Sequence, residues 1–138
     1  MTGSGPDPRP DRGRAGFDRW THLSGLPIGV ALGAGIWMLS ASVTGQAEPW
    51  DSPGMYYQAA LLGAGLIGGW LVADHWIEVA VGIFTGQAVV LLARLLADPA
   101  TGGLWPLGVV LLGLYSLLAL AGAATGAGLR RMLGGRPE

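Results

Sequence analysis

A short ionisable cluster, residues 74–78, separates two long apolar runs and constrains the fold more than any other stretch of the chain. Residues 55–73 precede it, and residues 76–97 overlap it and continue beyond it. At a rise of about 1.5 Å per residue, each run is long enough to cross a hydrocarbon core of about 30 Å as one helix. The cluster therefore predicts a tight turn between two membrane helices.

Two further apolar runs extend this pattern to an all-α, polytopic membrane protein. Hydrophobic residues make up 51% of the 138 residues and charged residues only 12%, and the mean hydropathy is +0.47, which is unlike an ordinary soluble domain. The sequence predicts four transmembrane helices in an up-down bundle, at residues 26–44, 55–73, 76–97 and 104–129.

The remaining segments are polar or amphipathic. Residues 1–16 are rich in Gly, Pro, Asp and Arg, a composition that predicts a disordered cytoplasmic tail. Residues 17–25 carry apolar side chains at spacing three, which predicts a short interfacial helix. Residues 130–138 form a basic cytoplasmic tail. A cleaved signal peptide is disfavoured because the leader before the first apolar run is long and contains three aspartates.

Helix-capping residues predict where the helices begin and end. Ser24 is expected to cap the first helix, and Gly45 to end it. Ser52 is the expected N-cap of the second helix, with Pro53 as its first residue. Asp74 is the expected N-cap of the third.

The arginines predict that both termini are cytoplasmic, in a bacterial inner membrane. Seven of the eight flank the first and fourth spans, and the loops after the first and third spans have none. Arg94, near the outer end of the third span, is expected to reach water by snorkelling. Aromatic residues at both boundaries agree, with only Trp37 lying deeper, and we place Tyr57 in the outer belt.

Small residues mark the predicted contact faces, because membrane helices associate through close packing rather than through a hydrophobic drive. The second span carries two such faces. The simpler interpretation is that both faces pack within one bundle, and the alternative is that one of them binds a partner chain. The predicted packing residues are Gly29, Gly33, Gly65, Gly68, Gly69, Gly82, Gly86 and Ala123.

A metal site at the cytoplasmic end is a low-priority hypothesis. Asp18 and His22 are spaced i, i+4, and His75 and Glu78 are spaced i, i+3, with Asp74 beside them. Each spacing would place two ligand-type side chains on one helix face. The alternative is that these residues cap helices and solubilise the turn.

Polar residues in the middle of the membrane are few: Gln87, Tyr115 and Ser116. We expect them to meet at one depth, as an interhelical hydrogen bond or as the polar lining of a substrate path. No carboxylate, histidine or lysine lies at the centre of a span, which disfavours a proton-driven pump.

Composition also excludes several kinds of chemistry. Without cysteine or lysine there is no thiol catalysis and no Schiff base. A net charge of −1 with scattered arginines disfavours nucleic-acid binding. We predict no catalytic residue and no cofactor.

Residues 48–53, Gly86-Gln87 and Pro106-Leu107-Gly108 resemble a pattern of small, uncharacterised four-helix integral membrane proteins of bacteria. The resemblance implies the fold and no activity. The chain lacks the embedded glutamate of small multidrug exporters and the Thr-Thr-Phe-Ser-type run of fluoride channels. We therefore expect a non-enzymatic accessory or scaffolding protein that associates with another membrane protein. A small homo-oligomeric channel or transporter is the alternative, and a metal-site protein or membrane enzyme comes third.

Overall fold

The computed structural model describes residues 24–98 and 105–134, and this part of the chain is helical. The predicted N-terminal tail, Asp18, His22 and residues 135–138 of the predicted C-terminal tail lie outside the described residues. The prediction that the C-terminal tail starts at residue 130 is wrong, because the last helix continues to Leu133. Two short 3-10 turns, Pro49–Asp51 and Ala73–His75, precede the second and third helices. The four α-helices are α1 (Gly25–Thr44), α2 (Tyr56–Leu71), α3 (Trp76–Ala97) and α4 (Trp105–Leu133).

Three of the helical stretches, Gly25–Asp51, Ala73–Ala97 and Trp105–Leu133, are long and apolar enough to cross a membrane. The chain is therefore suited to a membrane-embedded position. The helix α2 is shorter than the sequence predicts, with 16 residues from Tyr56 to Leu71. At about 1.5 Å per residue its length is about 24 Å, short of a full hydrocarbon core.

The predicted capping residues have mixed outcomes. Gly45 does end α1, with φ of 76° and its N–H donated to the Ala41 carbonyl at 3.1 Å. The prediction for Ser52 is wrong, because Met55 precedes α2 and the Ser52 hydroxyl donates to the Pro49 carbonyl instead. Ser24 does precede α1, but its side chain makes no capping hydrogen bond.

Glycines bring α1 and α3 into backbone contact. A Cβ added at Gly29 would lie 2.8 Å from Gly82 Cα, and a Cβ added at Gly82 would lie 2.8 Å from Gly29 Cα. One turn further along both helices, Gly33 abuts the Ile83 carbonyl and Gly86 abuts the Val30 carbonyl. The contact is thus reciprocal, and because residue numbers rise together the two helices run parallel.

The helices α2 and α4 form a second parallel pair of the same kind. Gly65 and Gly69 abut the carbonyls of Ala119 and Ala123, and Gly122 on α4 in turn abuts the Leu62 carbonyl. Small-residue contacts of this type let two backbones approach closely enough for dispersion to hold them together. The bundle therefore consists of two glycine-packed pairs.

The two pairs pack on each other mainly through α3 and α4. Their shared core contains Leu61, Val79, Ile83 and Leu112, all of which are fully buried. We call the end of the bundle at the Ala73–His75 turn the turn end, and the opposite end, at residues 45–55, the loop end.

The loop of residues 45–55 packs against the loop end of the bundle. Pro49 is buried, and the Trp50 ring meets the Trp37 ring edge-on, with 4.9 Å between ring centroids. On α4, a Cβ added at Gly108 would lie 3.5 Å from Trp50 Cη2. The loop thus contacts both α1 and α4 at the loop end, in the residues that precede the first turn of α2.

Candidate functional site

A buried hydrogen-bond network centred on Gln87 joins α1, α2 and α3. The Gln87 side chain has no exposed area, and its amide oxygen accepts from Trp37 Nε1 at 3.3 Å and from the Tyr57 hydroxyl at 2.5 Å. Its amide nitrogen donates to the Ile83 carbonyl of its own helix at 3.2 Å. Buried polar groups of this kind are stable only when they are paired. The geometry is that of an interhelical clamp.

Neither of the other two predicted mid-membrane residues forms a hydrogen bond with Gln87 in the described part of the chain. The Tyr115 ring packs against the Tyr57 ring, with centroids 4.9 Å apart and planes at 59°. The Ser116 hydroxyl is buried and has no hydrogen-bond partner in the described part of the chain. Tyr57 therefore stands between Gln87 and Tyr115.

Sequence reasoning missed Trp37 and Tyr57 as the partners of Gln87. Trp37 carried a signal, because it is the tryptophan placed deepest in an apolar run and a buried indole N–H needs an acceptor. Tyr57 carried none, because a tyrosine at the start of a span is equally suited to the membrane boundary.

The Arg94 side chain contacts other parts of the chain at the loop end of the bundle. Its Nη1 donates to the Ala47 carbonyl and its Nη2 donates to the Trp37 carbonyl at 3.4 Å. The guanidinium carbon lies 5.3 Å from the centre of the Trp37 ring, within the range of a cation–π contact. Arg94 thus ties the loop to α1, a role that the snorkelling expectation did not include.

At the turn end, His75 and Glu78 form one unit with the start of α1. His75 Nδ1 lies 2.9 Å from Glu78 Oε1, and Glu78 Oε2 accepts the Gly25 N–H at 2.8 Å. A carboxylate is favourable at the positive end of a helix. Glu78 therefore supplies a capping hydrogen bond at the start of α1, where the Ser24 side chain supplies none.

Asp74 belongs to a different pair. Its carboxylate lies 3.6 Å from Arg131 Nη2, a nitrogen that also donates to the Ala73 carbonyl at 3.0 Å. The prediction that Asp74 caps α3 is wrong, because Asp74 lies inside the 3-10 turn and His75 is the residue before α3.

The structure thus separates the predicted metal ligands of the turn end into two pairs. Within residues 24–98 and 105–134, no group of three or more His, Cys, Asp or Glu side chains is placed to hold a metal ion. Asp18 and His22 lie outside this part, so a metal site that includes them stays a prediction.

Both small-residue faces of α2 are covered within the chain. Gly65 and Gly69 face α4, while a Cβ added at Gly68 would lie 3.2 Å from Leu32 Cδ1 of α1. Neither of these two faces is therefore left open for a partner chain. Other glycines do lie open, with no atom within 4 Å of an added Cβ; in the helices these are Gly35, Gly63, Gly113 and Gly128.

No family model matches this chain, and no curated protein or solved structure matches it.

Proposed function

We propose that this chain is a non-enzymatic accessory or scaffolding protein of a bacterial inner membrane, which binds another membrane protein through its lipid-facing surface. In this proposal all four helices cross the membrane in alternation and both termini are cytoplasmic. One observation carries it: the glycine contacts of both helix pairs and the hydrogen bonds of Gln87 are formed inside the chain.

The interior favours a binding role over a conducting one. A Cβ at the glycines of either pair would overlap a backbone carbonyl of the facing helix, so neither helix pair leaves room for a solute between its members. The Gln87 oxygen already accepts two hydrogen bonds, and its nitrogen donates one. A polar path through one bundle would have to break this network.

The outward surface supports the same proposal. Large apolar side chains point away from the bundle on several helices, among them Met38 on α1, Val89 on α3 and Leu117 on α4, which are 70%, 56% and 60% exposed. Lipid covers such side chains in any membrane protein, and an accessory protein offers part of this surface to its partner.

Photocrosslinking in native membranes tests the proposal. A photoreactive phenylalanine analogue at Met38, Val89 or Leu117 reports which molecules lie against α1, α3 or α4. We expect at least one of the three positions, but not all of them, to give a discrete protein adduct whose mass is not a multiple of the 14.2 kDa chain. The matched control is the same variant irradiated after extraction into detergent, where the adduct should weaken.

Two results would contradict the accessory role. Adducts at multiples of the chain mass alone would indicate a homo-oligomer and support the channel or transporter alternative. Adducts to lipid alone, at all three positions, would mean that no protein binds these faces.

A further inference from the structure

Two adjacent arginines at the end of α4 reach across to the carboxyl end of α2. Arg130 Nη1 donates to the Trp70 carbonyl at 2.9 Å and also to the Leu71 carbonyl. Arg131 Nη2 donates to the Ala73 carbonyl at 3.0 Å. Both side chains thus satisfy carbonyls that a helix end leaves without partners.

The two arginines differ in how their charge is balanced. Arg131 lies 3.6 Å from the Asp74 carboxylate. Arg130 has hydrogen bonds to neutral carbonyls only, within the residues that the structure describes. Both of these bonds start from Nη1, and the N–H groups on Nη2 and Nε of Arg130 have no acceptor among residues 24–98 and 105–134. Within this part of the chain, Arg130 is therefore a positive charge with open donors at the turn end of the bundle.

Apolar side chains surround this charge at the same end. Trp70 is 39% exposed, Leu71 55% and Leu129 43%. A tryptophan at the end of a membrane helix favours the headgroup level, and exposed leucines favour acyl chains. The neighbourhood therefore combines a guanidinium that no described carboxylate pairs with and a surface for lipid tails.

We propose that Arg130 binds the phosphate of an anionic phospholipid, whose acyl chains lie along Trp70, Leu71 and Leu129. A guanidinium forms short, charge-assisted hydrogen bonds to phosphate oxygens, and the two carbonyl bonds hold this guanidinium in place before the lipid arrives. Anionic headgroups attract basic residues that lie beside a membrane helix. The site is independent of the proposed accessory role.

The test compares Arg130→Gln with Arg131→Gln in nanodiscs of phosphatidylglycerol and of phosphatidylcholine. Each substitution removes one positive charge from the same end of α4. Arg130→Gln also removes two carbonyl contacts, and Arg131→Gln removes one carbonyl contact and the partner of Asp74. The readout is the difference in Tm between the two lipids for each protein, which cancels any basal loss of stability. Because a ligand stabilises only the state that it binds, phosphatidylglycerol should raise the Tm of the wild type. Arg130→Gln should lose most of this increment, and Arg131→Gln should keep most of it.

Three results would overturn the proposal. Arg130→Gln could keep the increment, Arg131→Gln could lose as much as Arg130→Gln, or inorganic phosphate added to phosphatidylcholine nanodiscs could reproduce the increment. Native mass spectrometry of the wild type is a second test, and it needs no variant. From an equimolar lipid mixture the protein should retain phosphatidylglycerol in preference, and equal retention of both lipids overturns the proposal.

Discussion

At the scale of single residues, the amide of Gln87 connects more of the bundle than any other described side chain. It receives hydrogen bonds from α1 and α2 while it lies on α3. The Trp37 ring in this network also contacts Arg94 and Trp50. One buried amide thus connects the middle of the bundle to its loop end.

Replacing Gln87 by leucine should destabilise the protein by about 1 kcal/mol, the usual size of an interhelical hydrogen bond in a membrane. The change leaves the Trp37 N–H and the Tyr57 hydroxyl without their acceptor in a buried site. Reversible unfolding in mixed micelles measures the free energy of unfolding.

Thr85→Val is the control for this substitution. The Thr85 hydroxyl is exposed and donates to the Val81 carbonyl of its own helix at 2.8 Å, so its loss should change stability little. Equal effects from Gln87→Leu and Thr85→Val would show that the network does not stabilise the bundle.

Local patterns in the sequence predicted the turn-end residues but not their partners. Ser24 has the composition and position of an N-cap, yet the Gly25 N–H pairs with Glu78, 53 residues away. A capping rule considers neighbours along the chain, whereas here the acceptor comes from a helix that packs alongside. The same limit applies to Asp74, whose partner Arg131 lies on α4.

At the scale of helices, the small-residue spacing predicted contact faces but not which helices meet. All four helices carry small residues four apart, so many pairings satisfy the pattern. The structure pairs α1 with α3 and α2 with α4, and the two helices of each pair are parallel. One member of each pair comes from the first half of the chain and the other from the second half. Sequence spacing alone does not distinguish this arrangement from packing between consecutive helices.

Replacing Gly65 and Gly69 by alanine should destabilise the protein by about 1–3 kcal/mol, the usual cost of overpacking a tight contact. The added methyl groups would overlap the carbonyls of Ala119 and Ala123, so α2 and α4 would have to separate. Thermal unfolding in detergent measures the effect.

Gly63→Ala is the matched control on the same helix. No atom lies within 4 Å of a Cβ added at Gly63, and alanine favours a helix over glycine by about 1 kcal/mol in water. We expect no loss of stability from this variant. If Gly63→Ala were as damaging as the pair at Gly65 and Gly69, the α2–α4 contact would be assigned to the wrong face.

At the scale of the whole molecule, composition and run length predicted a helical membrane protein, and the structure agrees in having three helical stretches suited to crossing a membrane. The length of α2 was not predictable in this way. The apolar run extends from Met55 to Ala73, but α2 covers only Tyr56–Leu71. Met55 belongs to the loop of residues 45–55, and Ala73 belongs to the 3-10 turn Ala73–His75. Apolar residues occur in turns and loops as well as in helices, as Met55, Val72 and Ala73 do here, so hydropathy does not mark where α2 ends.

Reporter fusions test the proposed orientation of the whole molecule. A periplasmically active reporter should be active when fused after Thr44 or after Ala97, and inactive when fused after Ala73 or after Leu133. The physical reason is that arginines are retained on the cytoplasmic side.

A reporter that is active after Ala73 but not after Ala97 would indicate the opposite orientation. Activity after both Thr44 and Ala73 would show that the short α2 does not cross.

The parallel pairing has a consequence for how the chain is made. The glycine face of α1 finds its complement only on α3, whose Gly82 is synthesised 53 residues after Gly29. At about 5–20 residues per second, the ribosome needs roughly 3–10 s for this interval. For most of that time α2 itself is still being translated, and in the proposed topology the glycine face of α1 lies in the bilayer without its partner on α3. Wrong pairing of this face with another nascent chain is therefore a hazard of synthesis in that topology, and we expect it to end when α3 inserts.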